Sequence, residues 1–138
     1  MKNYELIEHT ADVGVRIISA NLEEIFVNSA SAMFDIMAEE INTEAKETLK
    51  IQIKQTAGDI DELFINWLNE LLSLSATKSL IFSDFEIKKI NKNNLEAVVA
   101  GYNIKNYKVN TEIKAATYHA LEIKKSGSAW QAQVIFDV

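Results

Sequence analysis

Two segments of the chain carry apolar residues at steps of three and four positions, the period of a helix with one buried face. They are "NLEEIFVNSASAMFDIMAEE" and "GDIDELFINWLNELLSLSATKS". Asn21 and Asp59 precede the two apolar stripes as predicted N-caps, and Glu24 and Glu62 occupy the N3 positions that complete a capping box. The pattern therefore predicts two amphipathic helices, each of which needs a sheet or another helix to cover its apolar face.

Most of the remaining chain alternates apolar and polar residues, the period of a half-buried strand. Single strands are predicted in "NYELIEH", "DVGVRIISA" and "TLKIQIKQT", and strand pairs in "FSDFEIKKINKNNLEAVVAGYNI", turning at "NKNN", and "AATYHALEIKKSGSAWQAQVIFDV", turning at "SGS". In the last pair, the alternation puts Thr117, His119 and Leu121 on one face. Tight turns and two helices favour an α+β fold, a mixed or antiparallel sheet with both helices packed on one face.

Composition narrows the class of protein. A length of 138 residues with 48% hydrophobic residues predicts a single domain over residues 1–138. The absence of Cys excludes disulfides, thiolate metal sites and Cys nucleophiles. A formal net charge of −6, with Arg16 as the only Arg, argues against independent binding to a nucleic-acid backbone. The chain has no signal-peptide pattern and no membrane-spanning apolar run, so we expect a cytoplasmic protein without membrane contact.

Acidic residues at two strand ends are the first candidates for chemistry. The string "EHTADVG" collects Glu8, His9 and Asp12 at the junction of the first two predicted strands. The ending "QVIFDV" puts Asp137 on the mixed face of the last strand, next to a terminal carboxylate at Val138. Neighbouring carboxylates repel each other unless a cation or a basic group lies between them, and such oxygen ligands suit Mg²⁺, Ca²⁺ or Mn²⁺. The structural alternatives are a polar turn and a frayed, solvated strand end.

The string "TEIKAATYH" supplies two further candidates. His119 suits a metal ligand or a general base, and its alternative is a half-buried packing residue on a strand. Lys114 suits contact with a phosphate or a carboxylate, and its alternative is an ordinary solvated Lys. The chain contains no phosphate-binding Gly-rich loop and no HExxH or GxSxG motif. Carboxylates that bind a metal are therefore the chemistry that the residues themselves offer.

Three strings, in their order and spacing, resemble the archease family: "EHTADVG", "TEIKAATYH" and "VIFDV". The helical string "FINWLNELLSL" is also similar to the family's second helix, and the resemblance extends from residue 4 to residue 138. It implies a small α+β protein that is not an enzyme but a cofactor of an RtcB-type RNA ligase. That ligase uses GTP and Mn²⁺ to join a 3′-phosphate or 2′,3′-cyclic phosphate end to a 5′-hydroxyl end. The resemblance implies that the archease promotes guanylylation and multiple turnover of the ligase, and meets tRNA only through it.

The same resemblance implies a metal site formed by Asp12, Asp137 and Val138, with Ca²⁺ as the expected ion and Mg²⁺ or Mn²⁺ as alternatives. Lys114 is the next functional residue that it implies. Glu8, His9 and His119 are further candidates for contact with the partner.

One segment departs from the family pattern. The loop before the "EIKA" string, residues 101–111, has Tyr102 after Gly101 where the family commonly has an acidic residue. The resemblance therefore does not imply contact with a partner through that segment. Two other functions stay open: a metal-dependent phosphodiesterase or other hydrolase that uses the same carboxylates with His119, and a general chaperone or modulator.

Overall fold

The computed structural model describes residues 3–9, 12–42, 44 and 47–138. These residues form nine strands, two α-helices and one 3-10 helix. In chain order the elements are β1 (Glu5–His9), β2 (Asp12–Ser19), α1 (Leu22–Met37), β3 (Ala38–Glu40), β4 (Leu49–Thr56), α2 (Ile60–Lys78), β5 (Leu80–Ile90), β6 (Asn94–Asn103), the 3-10 helix (Ile104–Asn106), β7 (Tyr107–Val109), β8 (Ala115–Ser126) and β9 (Ala129–Asp137). The predicted helices and strands are confirmed. The alternation did not indicate β3, β7 or the 3-10 helix.

The described strands pair only in antiparallel fashion. They form a four-stranded sheet in the order β1-β2-β9-β8, a three-stranded sheet in the order β4-β6-β5, and the pair β3-β7. Helix α1 packs against β2 and β5, and α2 packs against β8 and β5, so each helix contacts both larger sheets. The α+β class is confirmed, and the strands are divided among three sheets.

Side-chain caps begin both helices at the predicted residues. The Oδ1 atom of Asn21 accepts the N–H of Glu24 at 2.9 Å, and the Oδ1 atom of Asp59 accepts the N–H of Glu62 at 2.8 Å. The carboxylates of Glu24 and Glu62 bond back to the main-chain N–H of the residue before each cap, one position earlier than in a regular capping box. These bonds fix where each apolar stripe starts, and so fix which residues face the sheets.

The core lies where the helices meet the sheets. Trp67 of α2 is fully buried, and its indole N–H donates to the main-chain oxygen of Phe26 in α1 at 3.0 Å. The ring of Phe26 also meets Phe64 edge to face, with 5.2 Å between ring centroids. These contacts join the two helices to each other within the core. Within the described residues, neither helix is long and apolar enough to cross a membrane.

Strand β8 departs from the predicted alternation. Its pairing with β9 stops after Thr117 and resumes at Glu122, an interval in which β8 advances five residues and β9 two. Ala120, inside this bulge, has a φ of 53°, a left-handed conformation that residues other than Gly rarely adopt. The prediction that Thr117, His119 and Leu121 share one face is therefore wrong, because the two-residue period does not continue through a bulge.

Residues 101–111 do not form the loop that the sequence suggested. They include the end of β6, the 3-10 helix and β7. The main-chain oxygen of Asn106 accepts the N–H groups of Ile41 and Asn42, and the side chain of Asn42 donates to Asn106 Oδ1 at 2.7 Å. These bonds join the segment to the end of β3.

Candidate functional site

Three strands of the four-stranded sheet bring predicted site residues to one end of that sheet. Asp12, the first residue of β2, lies directly opposite Asp137, the last residue of β9. Ala115, the first residue of β8, lies opposite Asp137 on its other side. Residues that face each other in an antiparallel pair project to the same side of the sheet, with Cβ atoms about 4.5–5.5 Å apart. Asp12 and Asp137 therefore present their carboxylates side by side, and we call this pair the carboxylate row.

The carboxylate row projects from the face of the sheet that points away from the core. Along β9, Ala132, Val134 and Phe136 are fully buried, whereas Asp137 is exposed on the other side. The predicted division of the last strand into an apolar face and a mixed face is confirmed. Like charges directly opposite each other destabilise a strand pair, so this arrangement favours binding of a cation.

The end of β9 is held in place. The main-chain oxygen of Asp137 accepts the N–H of Lys114 at 2.8 Å. The side chain of Val138 is half-buried and packs against the core. The alternative of a frayed, solvated strand end is therefore wrong for this part of the chain. Val138 is the residue directly after Asp137, so its main-chain oxygen is next in the chain to the carboxylate row.

Lys114 lies at the same end of the sheet as the carboxylate row. Its main chain is fixed by the bond to Asp137, and its side chain is exposed. Within the part of the chain that the structure describes, its ammonium group forms no ion pair. A cationic side chain with a fixed base and an accessible tip can meet a phosphate or carboxylate of another molecule.

The glycine of the "EHTADVG" string has a packing reason. A Cβ atom at Gly14 would lie 2.7 Å from Cδ1 of Ile135 and 3.2 Å from Cβ of Ile7. The side chains of Ile7 and Ile135, from the two neighbouring strands, therefore close over Gly14. Gly14 lies two residues from Asp12 on β2, and Ile135 lies two residues from Asp137 on β9. A lone Gly within a strand is the sequence signal for such a close approach.

Among the described side chains, no other predicted site residue adds a ligand to the carboxylate row. The main chains of Glu8 and His9 pair with β2, but their side chains lie outside the described residues. His119 is exposed in the β8 bulge. Among the described side chains, no three of His, Cys, Asp or Glu form a group that could hold a metal ion. Asp12, Asp137 and His119 therefore do not form the three-ligand set that a metal-dependent hydrolase would need.

Two carboxylates that face each other suit a hard cation that also binds several water molecules. Ca²⁺ binds about six to eight oxygen atoms, which carboxylates, main-chain carbonyl groups and water supply together. The two carboxylates of the row, with the main-chain oxygen of Val138, would provide the protein's share. The fit to a cation rests on the position of Asp12 directly opposite Asp137.

Comparisons with known proteins agree with this structure. Residues 4–138 match the model of the Archease protein family (MTH1598/TM1083). The protein archease of Methanosarcina barkeri is 34% identical over 143 residues, which cover 99% of this chain and 97% of the relative. The protein archease of Pyrococcus abyssi is 33% identical over 150 residues, which cover 100% of both chains.

Two solved structures share the fold. The solution structure of Methanobacterium thermoautotrophicum protein 1598 has a TM-score of 0.76 at 32% identity and covers 100% of both chains. The crystal structure of a Thermotoga maritima protein, described as an archease and possible chaperone, has a TM-score of 0.69 at 25% identity and covers 97% of this chain and 96% of that one. The match to the family model over nearly all of its length shows that this chain belongs to the archease family.

Proposed function

We propose that this chain activates an RtcB-type RNA ligase, promoting guanylylation of the ligase and its multiple turnover in tRNA splicing and RNA repair. Membership of the archease family supports a role as a protein cofactor or modulator of another protein. The structural observation that supports the proposal is the carboxylate row, in which Asp12 faces Asp137 across the sheet, with Lys114 at the same end. In this proposal the chain performs no catalysis of its own.

The chemistry follows from what the residues at the sheet end can hold. Asp12, Asp137 and the main-chain oxygen of Val138 would bind a divalent cation, Ca²⁺ first and Mg²⁺ or Mn²⁺ as alternatives. A bound divalent ion supplies positive charge that attracts phosphate oxygens. Lys114 would contribute a second positive charge at the same end of the sheet, for contact with the nucleotide or a carboxylate in the ligase.

Charge also favours a ligase as the partner. The chain has a formal net charge of −6, whereas a site that holds RNA and nucleotide must be cationic. Opposite potentials speed encounter and fix the orientation of the partners. The carboxylate row would then enter the ligase site as an acidic tip that carries a cation.

Neither alternative function has an observation in its favour that equals the carboxylate row. A hydrolase would need His119 to join the two aspartates, and these three do not form a metal-binding group. A general chaperone would need a broad apolar surface. The large apolar side chains exposed among the described residues are instead distributed over five strands and the residue after β3; they are Leu6, Ile18, Ile41, Leu49, Val109 and Tyr118.

A ligation assay separates the three functions. The protein is added at a small fraction of the ligase concentration to the cognate ligase, GTP, Mn²⁺ and RNA with a 2′,3′-cyclic phosphate end. Multiple-turnover ligation that requires both proteins is the expected result. Cleavage of the RNA by this chain alone would instead indicate a hydrolase. No change in ligation or cleavage, together with suppressed aggregation of an unrelated protein, would indicate a chaperone.

A further inference from the structure

Strand β8 lies at the edge of its sheet. Near its start, a side chain instead of another strand pairs with its outer edge. Asn69 of α2 uses both polar atoms of its amide on one residue of this edge strand. Its Oδ1 atom accepts the N–H of Ala116 at 2.7 Å, and its Nδ2 atom donates to the oxygen of Ala116 at 3.2 Å. A residue in an adjacent antiparallel strand would exchange the same two bonds. Asn69 therefore completes the ladder where the sheet ends.

The segment that Asn69 holds is short. Before the bulge, only Ala115–Thr117 of β8 lie in register with β9. Lys114 directly precedes this segment, and its N–H bonds to the main-chain oxygen of Asp137. Three paired residues and the bond to Asp137 therefore attach Lys114 to the sheet, and Asn69 binds the middle one of the three.

Burial makes these two bonds hard to replace. Ala116 is 4% exposed, so water has little access to its N–H and C=O groups if the amide is removed. Asn69 itself is presented from a fixed support, because Leu68 and Leu71 on the same helix are fully buried. A rigid element that holds a functional segment through satisfied hydrogen bonds is the usual way in which proteins maintain site geometry.

We propose that Asn69 is a positioning residue that holds Lys114 beside the carboxylate row, and that its loss weakens ligase activation through Lys114. The functional half of this inference rests on the proposed function. The geometric half concerns the free protein alone and can be tested without any ligase.

The first experiment measures hydrogen exchange of the Lys114 and Ala116 amides by NMR in the free protein. Asn69→Ala removes both bonds, and we expect the two amides to exchange about tenfold faster or more. Asn69→Asp keeps an acceptor for the Ala116 N–H but sets a carboxylate oxygen against the Ala116 oxygen, so a smaller increase is expected. Asn66→Ala is the matched control, because Asn66 is an exposed amide on the same helix. Unchanged exchange in both Asn69 variants would overturn the inference.

The second experiment is a double-mutant cycle on ligase guanylylation, with Asn69→Ala, Lys114→Ala and the combination. If Asn69 acts through Lys114, Asn69→Ala lowers the stimulation about tenfold, and the double variant is no worse than Lys114→Ala alone. Losses that multiply in the double variant would overturn that claim. Full activity of Lys114→Ala would contradict the part of Lys114 in the proposed function, and would leave the exchange result unaffected. The two failures are thus distinguishable.

Discussion

Two rows of facing residues on the outer face of the four-stranded sheet differ in the charges that they bring together. In the carboxylate row, Asp12 faces Asp137. Four residues further along β2, Arg16 faces Glu5 on one side and Gln133 on the other. Its guanidinium group donates to the side-chain oxygens of Glu5 at 3.1 Å and of Gln133 at 3.0 Å. The Arg16 row sets a cation beside an anion and an amide, whereas the carboxylate row sets two carboxylates opposite each other.

We interpret the Arg16 row as structural and the carboxylate row as the proposed site. Two carboxylates that face each other repel, and a cation or a basic group between them relieves that repulsion. The Arg16 row gains its partners on folding. An apolar layer built by Ile7 and Ile135 over Gly14 lies between the rows, so a change in one row need not disturb the other.

The largest effect is expected from the carboxylate row. Asp12→Ala should lower the stimulation of ligase guanylylation by about 100-fold or more, because it removes one of two carboxylate ligands. The free energy of unfolding should change by less than about 1 kcal/mol, because the repulsion between the two carboxylates is also removed. Guanylylation of the ligase by labelled GTP, with urea denaturation of the variant, measures both. Normal stimulation by Asp12→Ala would show that the row is not the functional site.

An intermediate effect is expected from the layer between the rows. Gly14→Ala should lower the free energy of unfolding by about 1–3 kcal/mol, because the added Cβ would overlap Ile135. Gly58→Ala is the matched control, since a Cβ there meets nothing within 4 Å, and it should change stability by less than about 0.5 kcal/mol. Thermal and urea denaturation measure the difference. Equal stability of the two variants would mean that β1, β2 and β9 adjust freely around Gly14.

The smallest effect is expected from the Arg16 row. Arg16→Gln should cost about 1 kcal/mol or less of stability, because the pair with Glu5 is exposed to solvent and screened by salt. Stimulation of the ligase should be unchanged. A loss of stimulation as large as that of Asp12→Ala, in a variant that remains folded by circular dichroism, would extend the site across both rows.

Local features of the fold could be predicted from the sequence, because they depend on neighbouring residues. Asn21 and Asp59 cap the helices that their positions indicated. The carboxylate row is different, since it depends on the pairing of β2 with β9 near opposite ends of the chain. Periodicity assigns Asp12 and Asp137 to strand ends but says nothing about which strands pair. Only the resemblance to a family brought the two residues together before the structure did.

The β8 bulge and Asn69 had no usable sequence signal. Ala120 adopts a positive φ although Gly and Asn are the residues that usually mark such positions. Asn69 occupies a helix position where an amide ordinarily faces solvent, and its two bonds reach a strand 47 residues away. Short strands such as β3 and β7 are too brief for an alternation to show.

The most direct test of the account is a calorimetric titration of Ca²⁺, and then of Mn²⁺ and Mg²⁺, into the free protein. The account predicts that the wild-type chain binds one equivalent of at least one of these ions. Asp137→Asn should weaken that binding by about tenfold or more, and Arg16→Gln should leave it unchanged. Equal affinity in the wild type and Asp137→Asn, or no binding of any of the three ions to the wild type, would contradict the claim that the carboxylate row is a cation site.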